Sequence, residues 1–149
     1  MRSGNTVCGG AAMEIYKFGK YQVQLDKEAT LKWYGKSREW NCECDHCRNF
    51  LKLAKKKEFP QDILELLNQI DIEPEKATYV CELYTDGEGI HYQFSYRLVG
   101  TFFDNQGSDD VGKENIVRCC YEPYPYGAPN FPAPHFDLEF YATLPWVLE

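Results

Sequence analysis

The sequence predicts an α+β fold, in which an antiparallel sheet of five or six strands carries a helical hairpin inserted after a cysteine-rich turn. Segments with apolar side chains at alternate positions occur on both sides of residues 45–70, and this period is typical of strands. Within residues 45–70 the apolar positions recur instead at intervals of three and four, which is typical of amphipathic helices. The order of strand, helices and strands is therefore that of an α+β domain.

The N-terminal strand is predicted at residues 16–25, where Tyr21, Val23 and Leu25 share one face. Residues 29–34 (ATLKWY) are either the hairpin partner of this strand or the lead into the cysteine-rich loop. The cysteines would then lie in a turn between a strand and a helix.

Two short helices are predicted after the cysteines. Asp45 is a suitable N-cap for the first, because its carboxylate can accept the free backbone N–H groups of the first turn. Phe50, Leu53 and Ala54 form the apolar face of this helix, and Pro60 separates it from the second helix. The apolar face of the second helix comprises Ile63, Leu64, Leu66, Leu67 and Ile70.

The remaining strands are predicted at residues 78–84, 90–103, 116–121 and 135–143. Alternation is clearest within residues 90–103, where aromatic side chains share one face and the polar side chains from His91 to Arg97 share the other. We therefore expect a sheet with one solvated face. Gly100 is interpreted as the site of a bulge in this strand.

A proline-rich segment at residues 121–134 holds five of the eight prolines and is incompatible with a central strand. It is either a stiff connector or a recognition surface that presents Tyr124, Tyr126 and Phe131 to a ligand. Its prolines would reduce the entropy that such a surface loses on being ordered.

The 149 residues are expected to form a single domain at residues 13–149 after a flexible extension at residues 1–12. Hydrophobic residues make up 44% of the chain, which fits a globular protein. No apolar run reaches the ~18 residues of a membrane-spanning helix, and residues 1–19 lack the apolar core of a signal peptide. An odd count of seven cysteines without an export signal favours the reducing cytoplasm over a disulfide framework.

Charge is distributed unevenly along the chain. Residues 1–57 carry 12 Lys and Arg against 6 Asp and Glu, whereas residues 58–149 carry 4 against 17, which gives the net charge of −7. Either the two parts partly neutralise each other in one domain, or the acidic part binds a basic protein partner, as an immunity-type protein would. A basic stripe on the first helix is short and is interpreted as a solvated face rather than a nucleic-acid interface. It comprises Arg48, Lys52, Lys55 and Lys56.

Three cysteines, Cys42, Cys44 and Cys47, occur at the spacing C-x-C-x2-C. Residues i and i+2 of an extended segment project to the same side, and a two-residue gap resembles a zinc-binding turn, so three thiolates could bind one ion. A structural zinc site has four ligands, and the doubled C-x2-C pattern of zinc ribbons is missing from the sequence. His46 is awkwardly placed beside Cys47 for joint chelation. The candidates for the fourth ligand are Cys119, Cys120, Cys81, His91, His135, His46 and water.

The same three thiols allow two other interpretations. Cys47 lies near the predicted helix start and next to Arg48, which would favour its thiolate and suit a redox sensor or an oxidoreductase. Alternatively the cysteines only pack a tight turn, since free cysteine is among the most buried residue types. The sequence contains no Gly-rich phosphate loop, nucleophile elbow or H-E-x-x-H motif, so no catalytic residue is assigned and an enzyme is not favoured.

From Trp33 to Leu148 the chain resembles a family of small uncharacterised bacterial proteins. The resemblance is carried by CECDHCRNF, FPQDILELLNQIDIEPEKA, YRLVGTF and the terminal LPWVL. Members of this family share a C-x-C-x2-C-x-N-[FY] element and an LPWVL-like C-terminal end. The resemblance implies one intact domain, without an activity or cofactor. The matched positions are Cys42, Cys44, Cys47 and Asn49, and Asn49 would either contact a thiolate, tie the turn to the helix start, or lie on the surface.

The sequence thus favours a cytoplasmic, non-membrane protein that binds zinc through Cys42, Cys44 and Cys47. Such a protein would act as a binding or accessory module, with a protein partner rather than nucleic acid. A thiol-based redox protein and an acidic immunity-type protein are the alternatives.

Overall fold

The computed structural model describes residues 13–104, 116–121 and 128–149. Within them it confirms the α+β class, with six strands in one antiparallel sheet and three α-helices. The strands are β1 (Glu14–Phe18), β2 (Tyr21–Leu25), β3 (Tyr79–Asp86), β4 (Gly89–Asp104), β5 (Ile116–Cys120) and β6 (His135–Leu144). The helices are α1 (Lys27–Lys36), α2 (Asp45–Lys55) and α3 (Gln61–Gln69). The predicted extension at residues 1–12 lies outside the described residues, as do Tyr124 and Tyr126.

The strand order is β1-β2-β4-β6-β5. In addition, β3 pairs antiparallel with residues 89–95 of β4. This makes β4, with 16 residues, the centre of the sheet. None of the helices in the described part of the chain is long and apolar enough to cross a membrane.

The prediction of one strand at residues 16–25 is wrong, because the chain reverses within it. Gly19 takes a positive φ of 59°, and the segment folds into the antiparallel pair β1 and β2. Tyr21, Val23 and Leu25 are nevertheless buried on one face of β2, as their alternation predicts.

Residues 29–34 belong to helix α1, which leads into the cysteine run, so the alternative of a hairpin partner is wrong. Asp26 starts the helix, since its carboxylate accepts a hydrogen bond from the Ala29 backbone N–H at 3.0 Å. Tyr34 is buried, and its hydroxyl donates to the Arg97 carbonyl oxygen at 2.9 Å. This cap and this tertiary contact outweigh the strand propensity of the aromatic and β-branched residues in ATLKWY.

Helices α2 and α3 occur in the predicted order, and Pro60 directly precedes α3 as expected. The apolar side chains that they bury in the core include Phe50, Leu53, Ala54, Ile63 and Leu67. The packing of the two helices as a hairpin stays a prediction.

The central strand β4 is buried on both faces, which corrects the expectation of one solvated face. On its polar face Gln93, Ser95 and Arg97 are at most 9% exposed. Arg97 Nε donates to the Asp137 carboxylate of β6 at 2.8 Å, and Gln93 Nε2 donates to the Glu139 carboxylate at 2.8 Å. These two pairs compensate for lost solvation, so a polar face can be buried here.

Ion pairs connect the basic N-terminal part of the chain to the acidic remainder. Lys27 Nζ lies 2.8 Å from an Asp71 carboxylate oxygen, and Lys20 Nζ lies 3.7 Å from an Asp104 carboxylate oxygen. The two parts therefore neutralise each other at these contacts.

Gly100 is the residue at which β4 changes partners. β4 pairs with β6 up to Val99 and with β2 from Gly100 onward. The predicted bulge is not at Gly100, where the register with β2 is continuous; a register shift lies in β3 between Glu82 and Tyr84. Gly100 has a φ of +149°, and a Cβ on it would overlap the backbone carbonyl oxygen of Gln24. Both the φ and the close approach of the two strands require glycine.

Replacing Gly100 with alanine should therefore lower the free energy of unfolding by about 2–4 kcal/mol, measured by urea denaturation. Gly87→Ala is the matched control, because a Cβ at Gly87 meets no atom within 4 Å. Its effect should stay within about 0.5 kcal/mol. Equal destabilisation by the two substitutions would contradict the requirement for glycine at position 100, where β4 approaches the backbone of β2.

Candidate metal centre

The cysteine run connects the helices α1 and α2, and not a strand to a helix as predicted. Trp40 anchors the run, since its backbone N–H donates to the Glu75 carbonyl oxygen at 2.8 Å. At the other end Cys44 is the N-cap of α2, and its sulfur accepts a hydrogen bond from the Cys47 backbone N–H at 3.3 Å. The prediction that Asp45 caps this helix is therefore wrong, because the preceding thiol has that role.

The structure brings the sulfur atoms of Cys42, Cys44 and Cys47 within 4.8 Å of one another. The Cys42 and Cys44 sulfurs are 3.5 Å apart. Cys44 is exposed, Cys42 is half-buried, and Cys47 is only 6% exposed. Solvent therefore reaches the group at Cys44 but not at Cys47. The three sulfurs are close enough together to hold a metal ion.

Two of the three sulfurs accept a hydrogen bond from an N–H group. The Cys47 sulfur accepts from Trp40 Nε1 at 3.1 Å, and the Cys44 sulfur accepts from the Cys47 backbone. A hydrogen bond from the Cys44 backbone is the main cause that lowers the pKa of the Cys42 thiol. Because N–H donors stabilise negative charge on sulfur, the hydrogen bonds at Cys44 and Cys47 suit thiolate ligands.

Burial opposes ionisation at Cys47. Desolvation raises the pKa of this thiol to about 12, although the hydrogen bond from Trp40 acts in the opposite direction. The expectation that Arg48 favours the Cys47 thiolate is wrong, because the Arg48 guanidinium pairs with the Asp45 carboxylate at 2.9 Å. At neutral pH Cys47 therefore keeps its proton unless a metal ion replaces it.

Asn49 follows the cysteines on α2 and is completely buried. Its Nδ2 donates to the Pro145 carbonyl oxygen at 3.0 Å, and its Oδ1 accepts from the Val147 backbone N–H at 2.7 Å. Nδ2 also lies 3.3 Å from the Tyr92 hydroxyl, to which it donates. Asn49 is thus neither a surface residue nor a partner of a thiolate, since its amide joins α2 to the C-terminal segment and to β4.

Tyr92 connects this amide to the cysteine turn. Its hydroxyl donates to the His46 carbonyl oxygen at 2.7 Å, and burial raises its pKa to about 12. The His46 ring packs edge-on against Trp146, with centroids 5.7 Å apart. The turn is therefore held by its backbone to β4 and by its histidine to the C-terminal segment.

The other candidates for the fourth ligand lie outside the three-sulfur group. Cys119 and Cys120 are on β5, and Cys119 is buried in the core, where desolvation raises its pKa. Cys81 is on β3, and His135 begins β6. Across the described residues, no fourth Cys, His, Asp or Glu side chain joins the three sulfurs within 4.8 Å.

His91 belongs instead to a second group, with Asp86 and Glu88 at the β3–β4 turn. Its Nε2 lies 3.0 Å from an Asp86 carboxylate oxygen, and its ring stacks on Tyr84 with centroids 4.1 Å apart. Its Nδ1 lies 3.0 Å from the Thr143 hydroxyl on β6. These contacts fix the turn to the neighbouring strand, which accounts for the group without an ion.

The basic stripe of α2 faces outward, as expected. Lys55 and Lys56 are exposed, and Lys55 Nζ lies 2.7 Å from a Glu39 carboxylate oxygen. Lys52 Nζ donates to the Val147 carbonyl oxygen at 3.4 Å, so this cation also supports the C-terminal segment. The exclusion of nucleic acid as a partner stays a prediction.

Comparison with known proteins adds no assignment. No protein-family model, curated protein or solved structure matches this chain. The resemblance to small bacterial proteins therefore stays a prediction, and the functional interpretation rests on the geometry of the cysteine turn.

Two residues that support the cysteine turn are missed by sequence reasoning. Trp40 stands two positions before Cys42 in WNCEC. Its role could have been predicted from the sequence, because an indole N–H close to a cysteine motif can donate to sulfur. Tyr92 is 46 residues from His46, and no local pattern relates them. Tyr92 could be found only from the three-dimensional pairing of β4 with the turn.

Replacing Asn49 with alanine should lower the free energy of unfolding by about 2–4 kcal/mol, because two backbone groups lose their partner and a buried void forms. Chemical denaturation measures this loss, and faster amide exchange at Val147 would locate it. Asn68→Ala is the matched control, since Asn68 is an exposed asparagine on α3. If Asn49→Ala is no more destabilising than this control, the amide does not hold the C-terminal segment.

Proposed function

We propose that this chain is a cytoplasmic zinc-binding protein that acts as a binding or accessory module, with Cys42, Cys44 and Cys47 as the zinc ligands. One observation supports the proposal above all: three sulfurs lie within 4.8 Å of one another, and those of Cys44 and Cys47 each accept an N–H hydrogen bond. Such hydrogen bonds orient metal-bound thiolates and reduce the repulsion among their charges.

Zinc suits this set of ligands better than the harder divalent cations do. Thiolates are soft ligands, whereas Mg²⁺ and Ca²⁺ take oxygen ligands. Zinc imposes no electronic geometry of its own, so three ligands from one turn and a fourth from elsewhere can satisfy it. The exposed position of Cys44 leaves room for that fourth donor, which is either water or a side chain of a protein partner.

The ion would act structurally in this turn. Cys44 caps α2 and Cys47 contacts Trp40, so a metal held by both would connect the start of α2 to the segment that follows α1. The Cys47 thiol would give up its proton on binding, and the cation would then compensate for the burial that raises its pKa.

Protein purified without a His-tag under reducing conditions should contain one zinc ion per chain, as measured by elemental analysis. Cys44→Ser should weaken zinc binding at least about tenfold, because a serine hydroxyl is a poor ligand for zinc. Removing zinc with a chelator should lower the melting temperature of the wild-type protein, since binding energy is also folding energy.

Cys81→Ser is the matched control, because Cys81 is a half-buried free thiol on β3, outside the group. It should retain full zinc content. Wild-type protein without stoichiometric zinc, or equal loss from Cys44→Ser and Cys81→Ser, would overturn the assignment.

A thiol-redox function is the second candidate, and the separation of 3.5 Å between the Cys42 and Cys44 sulfurs favours it. The lowered pKa of Cys42 makes this thiol the nucleophile, in place of Cys47. A peroxide would oxidise the Cys42 thiolate to a sulfenic acid and release hydroxide. The Cys44 thiol would then attack the sulfenic sulfur, forming a disulfide and releasing water.

Limited hydrogen peroxide on metal-free protein should then produce a Cys42–Cys44 disulfide, detected as a loss of two hydrogens by peptide mass spectrometry. Cys47→Ser should still form it, because Cys47 is not one of the two reacting thiols. Prior loading with zinc should protect both thiols. A disulfide that involves Cys47, or none at all, would contradict the assigned pair.

A further inference from the structure

A groove of about 690 Å³ lies beside the cysteine turn. It is bounded by the C-terminal end of α1, by the segment that leads from α1 to the cysteines, and by residues 129–130. Its volume is in the range of sites for small organic ligands, about 300–1,000 Å³. The side chains that matter for its chemistry are Trp33, Lys36, Arg38, Glu39, Trp40 and Asn41.

The two tryptophans of the groove are held in place by their indole N–H groups. Trp33 Nε1 donates to the Pro129 carbonyl oxygen at 3.1 Å, and Trp40 Nε1 donates to the Cys47 sulfur at 3.1 Å. Trp33 also packs on Phe131 with ring centroids 4.8 Å apart. Because both polar atoms are already bonded to the protein, the rings offer the groove fixed apolar surfaces for stacking.

The charged groups of the groove leave an excess of positive charge. Lys36 and Arg38 are exposed, and neither forms an ion pair with any residue in the described ranges. Among the described residues that line the groove, Glu39 is the one acid, and it already pairs with Lys55 at 2.7 Å. Two cations beside two tryptophans therefore stand out in a chain of net charge −7.

A carbonyl oxygen at the nearby end of α1 already has donors from the protein. The carbonyl oxygen of Tyr34, in the last turn of α1, accepts hydrogen bonds from the Ser37 backbone, the Ser37 hydroxyl and Lys76 Nζ. This carbonyl group at the helix end is thus already bonded within the protein. Lys36 and Arg38 remain available to an external anion.

We propose that this groove binds a small planar aromatic anion, whose ring stacks on Trp33 or Trp40 while its carboxylate or phosphate pairs with Lys36 and Arg38. Stacking recognises the flat ring, and the charge-assisted hydrogen bonds recognise the acidic group. Aromatic carboxylates and nucleoside monophosphates share this chemistry. The site is distinct from the proposed zinc ligands and requires no bound metal.

The first experiment separates ring from charge, using isothermal titration calorimetry on the full chain. The probe 1-naphthoate carries both features, 1-naphthylmethanol lacks the charge, and cyclohexanecarboxylate lacks the planar ring. The naphthoate should bind at least about tenfold more tightly than either of the others. AMP measured against adenosine extends the test to nucleotides. Equal affinity for the charged and neutral probes, or no binding of either anion at millimolar concentration, would overturn the proposal.

The second experiment assigns the residues. The double variant Lys36→Gln/Arg38→Gln should weaken naphthoate binding about tenfold and leave binding of 1-naphthylmethanol within about twofold. Lys32→Gln is the matched control, because Lys32 is an exposed lysine of the same helix that does not line the groove. Equal loss of naphthoate binding in Lys32→Gln would show a non-specific effect of net charge and would refute the site.

Repeating the titration in Cys44→Ser separates this proposal from the metal assignment. Naphthoate should still bind this variant, within about threefold of its wild-type affinity, because Cys44 does not line the groove and Trp40 alone, among the described residues, is shared by the groove and the cysteine turn. Loss of naphthoate binding in Cys44→Ser would show that the groove does not exist independently of the cysteine turn.

Discussion

The buried amide of Asn49 joins three parts of the chain that are distant in sequence. It bonds to Pro145 and Val147, which follow it by 96 and 98 residues, and to Tyr92 in the middle of the sheet. An amide at this depth is costly unless its groups are bonded, so the C-terminal segment stabilises α2 by supplying two of its partners. Because α2 begins at the cysteines, the hydrogen bonds of Asn49 also contribute to the position of the three sulfurs.

Buried polar groups that have partners stabilise the sheet as well as helix α2. Arg97 and Asp137 pair across β4 and β6 with little exposure of either side chain. Breaking one member of such a pair leaves an uncompensated charge, whereas the intact pair specifies which residues of the two strands face each other. The register of β4 with β6 is therefore set by polar contacts on one face and by aromatic packing on the other.

The spacing of apolar side chains predicted most of the strands and helices, because this spacing depends only on neighbouring residues in the sequence. Alternation found the apolar face of β2, and helical spacing found the core residues of α2. It failed at residues 29–34, where a cap and the burial of Tyr34 outweigh propensity. It also failed for the polar face of β4, because alternation is the same whether polar groups meet water or partners on the next strand. The cysteine group was predictable from its spacing, but its support by Tyr92 comes from far along the chain.

Trp40 is shared by the two sites proposed for this protein. Its indole N–H donates to the Cys47 sulfur, and its ring lines the groove. A thiolate accepts this hydrogen bond more strongly than a thiol does, so metal binding at Cys47 would hold the ring more firmly. Linkage makes any such effect reciprocal, since a ligand that favours the same position of Trp40 must raise metal affinity by the same factor. One side chain therefore suffices to couple the chemistry of the cysteine turn to the occupancy of the groove.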